Sequence, residues 1–139
     1  MRGEAERWLA EAKWDLETAR ILHKNGRYNA AAFYSHQAAE KAAKAMLYSA
    51  NEAPWGHSVR ILLQRYYEAK GKTAPSDILS HARELDRHYI PSRYPNAHPA
   101  GTPHEAYDEK TSQSALQAAE KIIQLAEREL HEARRSGKA

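Results

Sequence analysis

At 139 residues the chain has the length of one domain with a hydrophobic core that needs no covalent staples. It contains no cysteine, which excludes disulfides, thiolate chemistry and zinc–cysteine sites. The formal net charge of +3 permits binding to polyanions, but its lysines and arginines are interspersed with acids, the pattern of a solvated mixed-charge surface.

Alanine is abundant, glycine is scarce, and no run of alternating Val, Ile or Thr occurs, so the composition predicts an all-α fold. The first helix is predicted over about 4–24, where Leu9, Ala12, Leu16, Ala19 and Leu22 recur at spacings of three and four before Gly26 stops it. Its start, "MRGEAERWLAEAKWDL", carries acids where a secretory signal would be apolar. No apolar run in the chain approaches the roughly 20 residues that cross a membrane. A soluble, cytoplasmic protein is expected.

The second helix, about 29–50, reads "NAAAFYSHQAAEKAAKAMLYSA". Its alanines allow neighbouring helices close, while Phe33, Met46 and Leu47 supply bulk, so it is predicted to be central. Glu40 and Lys44, like Gln37 and Lys41, have the spacing of an ion pair or hydrogen bond along one helix face. A solvated face is the default reading for all four, and a buried polar network lining a cleft is the sharper one. Trp8, Trp14 and Trp55 are expected in the core or at a subunit interface.

"NEAPWGHS" reads as a turn in which Ser58 caps a third helix, about 59–70, that offers Val59, Leu62, Leu63, Tyr66 and Tyr67 to the core. A fourth helix begins near Pro75 and buries Ile78, Ala82, Leu85 and Tyr89. Then "YIPSRYPNAHPAGTPHEAY", residues 89–107, gathers four of the six prolines. Thr102, Pro103 and Glu105 have the layout of a capping box, which predicts a separate turn of helix. The last helix, about 108–134 with Asp108 as N-cap, carries a stripe of Ala115, Ala119, Ile122, Ala126 and Leu130. Together these elements predict an up-and-down antiparallel bundle of four to five helices over 1–134, with 135–139 as a fraying tail.

No glycine-rich phosphate loop, H-E-x-x-H or G-x-S-x-G motif is present. His81, His88, His98 and His104 cluster around the proline segment without a ligand pattern backed by carboxylates, so neither a metal nor a cofactor is expected. Arg83, Arg87 and His88 lie on the helix entering the segment, and Arg93 and His98 lie within it. A guanidinium fork can hold a phosphate, a histidine can move a proton at neutral pH, and tyrosines can stack on bases. The competing reading is a rigid strap, because prolines fix φ and lower the entropy of the unfolded chain.

"GRYNAAAFYSHQAAEKAAKAML" resembles the second helix of HEPN domains, the higher-eukaryote and prokaryote nucleotide-binding family, and "GHSVRILL" resembles the segment downstream of it. "LDRHYIPSRYPNAHPAGTPHEAYDEKTSQSALQAAEKII" is similar to the tyrosine–proline–arginine loop and final helix of a prokaryotic branch. The resemblance spans about Trp8 to Leu130. It implies a helical bundle that forms homodimers and works with a minimal nucleotidyltransferase in a toxin–antitoxin-like pair, binding a nucleotide or RNA. The alternative it implies is a metal-independent endoribonuclease using an arginine and a histidine separated by four to six residues. Arg93 with His98 is then the candidate catalytic pair, and Arg83 with His88 the reserve pair. In the ribonuclease relatives such a pair opens the final helix, whereas both pairs here precede it. Arg87, Tyr94, Tyr107, Gln37 and Lys41 are candidate contacts to a nucleotide or RNA. A structural interaction module without catalysis is the remaining alternative.

Overall fold

The computed structural model describes residues 2–137. Every regular element among them is helical: α1 (Arg2–Lys24), α2 (Tyr28–Ser49), α3 (Val59–Ala69), α4 (Ser76–Asp86), α5 (Pro103–Ala106) and α6 (Glu109–Arg135), with a 3₁₀ turn at Pro95–Ala97. None of the helices is long and apolar enough to cross a membrane.

The turns follow from a few residues. Gly26, at φ +76°, lets Arg27 N–H reach the Leu22 carbonyl and its own N–H reach that of His23, so α1 closes and α2 folds back along it. Asn51 at φ +58° does the same for α2, an asparagine in a role usually taken by glycine. At the Gly26 end of the bundle, where His23 meets Ser112, Asp108 Oδ1 accepts from Thr111 N–H at 2.9 Å and starts α6. Thr102 and Glu105 cap each other's turn, which makes α5 a separate helix of four residues.

α2 lies at the centre, in contact with α1, α3, α4, α5 and α6. Its alanines at 31, 32, 38, 39, 42, 43 and 45 have no exposed surface, and Ala12 and Ala19 of α1 have none either. Small side chains on both helices let α1 and α2 pack against each other along their length. The larger groups, among them Met46, Leu47, Leu62, Leu63, Tyr66, Leu85 and Ile122, fill the space where α2, α3, α4 and α6 meet.

Three expectations change. Trp14 and Trp55 are 69% and 66% exposed, so neither is in this core; Trp8 alone of the three packs against it. Glu40 and Lys44 are buried rather than solvated, because α2 is surrounded on most sides; they pair at 3.0 Å, with the Lys44 ammonium 5.5 Å from the Trp8 ring centroid. Finally, α6 continues to Arg135 with Ser136 as its C-cap, while Lys138 and Ala139 of the expected tail lie outside the described residues.

Candidate functional site

α3 begins with no acid in its first turn and with Arg60 there instead. A cation at the positive end of a helix is unfavourable. The compensating charge comes from Asp86, the last residue of α4. Its Oδ1 accepts from Val59 N–H at 2.7 Å, and its Oδ2 accepts from the Ser58 hydroxyl at 2.7 Å and from Arg60 N–H at 3.2 Å. Burial pushes the Asp86 carboxyl up, but hydrogen bonds from His36, Ser58, Val59 and Arg60 outweigh it, and the net result is below the ordinary 3.8.

His36 reaches this point from α2 without any exposed surface. Its Nε2 lies 3.0 Å from the His57 carbonyl and 3.3 Å from Asp86 Oδ1. Both are acceptors, so Nε2 carries the hydrogen. Nδ1 faces Glu40 Oε1 at 3.9 Å, and neither atom has a hydrogen-bond partner. The other Glu40 oxygen, Oε2, is ion-paired with Lys44 Nζ at 3.0 Å and accepts from His57 Nδ1 at 3.2 Å. His57 itself is 61% exposed and stacks on the Tyr89 ring, with centroids 5.1 Å apart and planes at 17°.

These contacts form one side of a cleft of about 470 Å³, lined by His57, Arg60, Arg83, Asp86, Arg87 and Tyr89 among others. Among the described residues no carboxylate lies within ion-pair distance of the Arg60, Arg83 or Arg87 side chain. Asp86, in the lining of the same cleft, keeps its negative charge, but its oxygens are turned to four donors on α2 and at the start of α3. The cleft therefore offers three guanidiniums without a carboxylate at ion-pair distance, that of Arg60 donating to Gln64 Oε1 at 3.0 Å, and an exposed imidazole around an aromatic ring. That arrangement suits a phosphate-bearing ligand.

Tyr89 also joins the cleft to the proline segment. The Arg93 guanidinium carbon sits 4.5, 4.7 and 4.8 Å from the ring centroids of Phe33, Tyr89 and Tyr94, and Nε donates to the Tyr89 carbonyl at 2.9 Å. Arg93 too is without a carboxylate within ion-pair distance among the described residues. It is held by aromatic faces rather than by a salt link.

The other residues singled out in the sequence are dispersed. His98 Nε2 donates to the Pro91 carbonyl at 2.7 Å, tying the segment to itself. His88 turns inward, where Nδ1 meets the Tyr107 hydroxyl at 2.7 Å and Nε2 has no partner. Burial pushes the His88 imidazolium down and the Tyr107 phenol up to about 12. Arg83 lines the cleft, so the structure parts it from His88. Lys41 pairs with the buried Asp15 at 2.7 Å rather than with Gln37, which is half-buried. Tyr94 remains 47% exposed beside Arg93.

Sequence reading missed His57, Arg60 and Asp86 as parts of one site. A signal existed: a helix opening "SVR" with no acid in its first turn needs an anion from elsewhere, and Asp86 beside Arg87 supplies it.

A profile of the HEPN domain matches residues 5–130. The chain belongs to the HEPN domain family. Among solved HEPN-like structures, a protein from Thermus thermophilus is 36% identical, covers 91% of this chain and 98% of its own, and superposes with a TM-score of 0.86. An archaeal HEPN homologue is 35% identical with a TM-score of 0.78 over 91% of this chain and 98% of its own. An HEPN domain protein from Thermotoga maritima is 35% identical with a TM-score of 0.68, over 87% and 94%. A candidate toxin of Methanocaldococcus jannaschii is 25% identical over 128 residues, which is 87% of this chain and 84% of that one.

Proposed function

We propose that this HEPN protein is the nucleotide- or RNA-binding component of a cytoplasmic, toxin–antitoxin-like pair, and that it binds phosphate groups in the cleft between the start of α3 and the end of α4. The observation that carries this reading is the convergence of Arg60, Arg83 and Arg87 on one cavity without carboxylate partners among the described residues. Guanidiniums left unpaired at close quarters repel one another, and an anion relieves that repulsion. Tyr94, 47% exposed, adds ring surface on which a base stacks. Arg93, fixed by three rings, loses little side-chain freedom when it meets a ligand.

A homodimer and a minimal nucleotidyltransferase partner complete this reading. The family and the likeness to a candidate toxin support a paired system. The test is a titration of the purified protein with ATP, other nucleotides, short single-stranded RNA and candidate nucleotidyltransferases, read by calorimetry and by size on a column. Saturable binding of a nucleotide or RNA that weakens about tenfold or more in Arg83→Ala, the loss of a charge-assisted hydrogen bond, is expected. Absence of binding to every ligand leaves the structural interaction module as the better account.

The second reading, a metal-independent endoribonuclease built on Arg93 and His98, draws support from the unpaired guanidinium of Arg93. Against that pair, His98 uses Nε2 to hold Pro91. RNA cleavage in EDTA that is abolished in both Arg93→Ala and His98→Ala is the outcome it requires.

A further inference from the structure

We propose that the bond from His88 to Tyr107 is a pH-sensitive latch on the proline segment, closed while His88 is neutral and released when it takes up a proton. The latch is independent of what the cleft binds.

His88 lies just past the end of α4 and Tyr107 closes α5, so their bond of 2.7 Å joins the two ends of the proline segment across 19 positions. Their rings also meet edge to face, with centroids 5.3 Å apart. The backbone beside His88 is tied in as well. Its carbonyl accepts from Ser92 Oγ at 2.5 Å, and the Ser92 carbonyl accepts from Asn29 Nδ2, at the start of α2, at 3.0 Å. Between the two ends, the Tyr89 ring lies 5.0 Å from that of His36, and Arg93 sits over Phe33. A change at His88 therefore reaches the wall of the cleft that Tyr89 forms.

His88 is 8% exposed, and its Nε2 is buried with no hydrogen-bond partner. The neutral ring already leaves that one atom unpaired. The imidazolium is worse on two counts: it strands an Nε2–H, and it brings a full charge into a buried site while the phenol can no longer donate to Nδ1. Burial is the largest influence holding the folded His88 below the ordinary 6.5. Glu84, one turn back on α4, favours the charged form, while Arg87 beside it and His36 on α2 oppose it. Tyr107 faces it as a neutral phenol. His104 and Glu105 of α5 are exposed and turn to Thr102 instead. α3 and α6, the other helices packed on α4 together with α2, bring no carboxylate within ion-pair distance of His88 among the described residues. The released segment thus binds the proton more tightly than the closed one. The latch has its full stability above 6.5 and loses it as pH falls from there to the folded value. An apolar side chain would fill the same space without this sensitivity to acid.

Amide hydrogen exchange on the full chain tests the latch at about pH 7.5 and about pH 5.5, either side of the ordinary histidine value, with rates corrected for the intrinsic effect of pH. The amides of 88–107 are expected to lose protection at the lower pH, while those in the core of α6 keep theirs. In His88→Gln, which can still bond to Tyr107 but takes up no proton, that loss is expected to vanish. In His98→Gln it is expected to persist, because His98 Nε2 already donates to the Pro91 carbonyl and a further proton does not break that bond. Tyr107→Phe keeps the ring and removes the hydroxyl, so its segment should exchange at about pH 7.5 as fast as the wild type does in acid; it also serves should His88→Gln fail to fold. Protection that does not change with pH in the wild type overturns the latch, as does a loss that survives in His88→Gln or disappears in His98→Gln. A Tyr107→Phe segment as well protected as that of the wild type overturns it too. Loss of protection in α6 together with the segment means that acid unfolds the whole bundle, and that also overturns a local latch.

Discussion

Asp86 links two helices with one carboxylate, and its titration makes that link measurable. It caps α3 from the end of α4 and takes a hydrogen bond from buried His36. Because hydrogen bonds outweigh burial, its folded-state pKa lies below the ordinary 3.8. A carboxyl with a depressed folded pKa contributes stability that is complete above its unfolded value and disappears as pH falls through the folded one. Asp86→Asn should therefore cost about 1–2 kcal/mol at neutral pH, the scale of a lost helix cap. In urea unfolding, the gap between wild type and variant should hold at neutral pH and close once the pH drops below 3.8 and through the folded value. A gap that is as wide in acid would mean that the carboxylate charge contributes nothing to the cap.

At the scale of elements, periodicity and punctuation made most of the bundle legible. The three- and four-residue spacing in α1 and α6 shows which faces turn inward, and Gly26, Ser58 and Asp108 mark ends that local chemistry alone determines. The capping box at Thr102 and Glu105 even marks the one-turn α5. What was not legible depends on pairs far apart in sequence. Asp86 meets Ser58, Val59 and Arg60 across 26 to 28 residues, and Lys41 leaves Gln37 for Asp15 across 26. Spacing along one helix says nothing about a better partner on another. The alanine-rich face of α2 gives a prediction at this scale. Ala42 has no exposed surface, so Ala42→Leu must push neighbouring helices apart or adopt a strained rotamer. A loss of about 1–3 kcal/mol is expected from chemical denaturation. Ala10→Leu, on the exposed side of α1, should change stability by no more than about 0.5 kcal/mol.

For the molecule as a whole, the net charge of +3 is too small to steer a polyanion by itself; what matters is where the cations lack partners. Along α1 and α6 several are answered, Lys13 by Glu127, Arg20 by Glu120 and Arg134 by Glu6, while Lys24, Lys110, Lys121 and Arg128 have no ion pair among the described residues. Around the cleft Arg60, Arg83 and Arg87 lack one too but share a single cavity, and Arg93 stands close by across Tyr89. RNA should therefore dock at this one end of the bundle, and salt should report it. Each phosphate neutralised on a single strand steepens the fall of log affinity with log salt by about 0.7. If Arg83 and Arg87 each meet one phosphate, the double variant Arg83→Ala, Arg87→Ala should bind a short oligoribonucleotide with a slope shallower by about 1.4, twice that value. Lys121→Ala, exposed on α6 away from the cleft, should leave the slope unchanged. Anisotropy titrations over a series of salt concentrations measure all three proteins in one experiment. Equal slopes for the wild type and the double variant would mean that the RNA passes these arginines by and is held by some other surface.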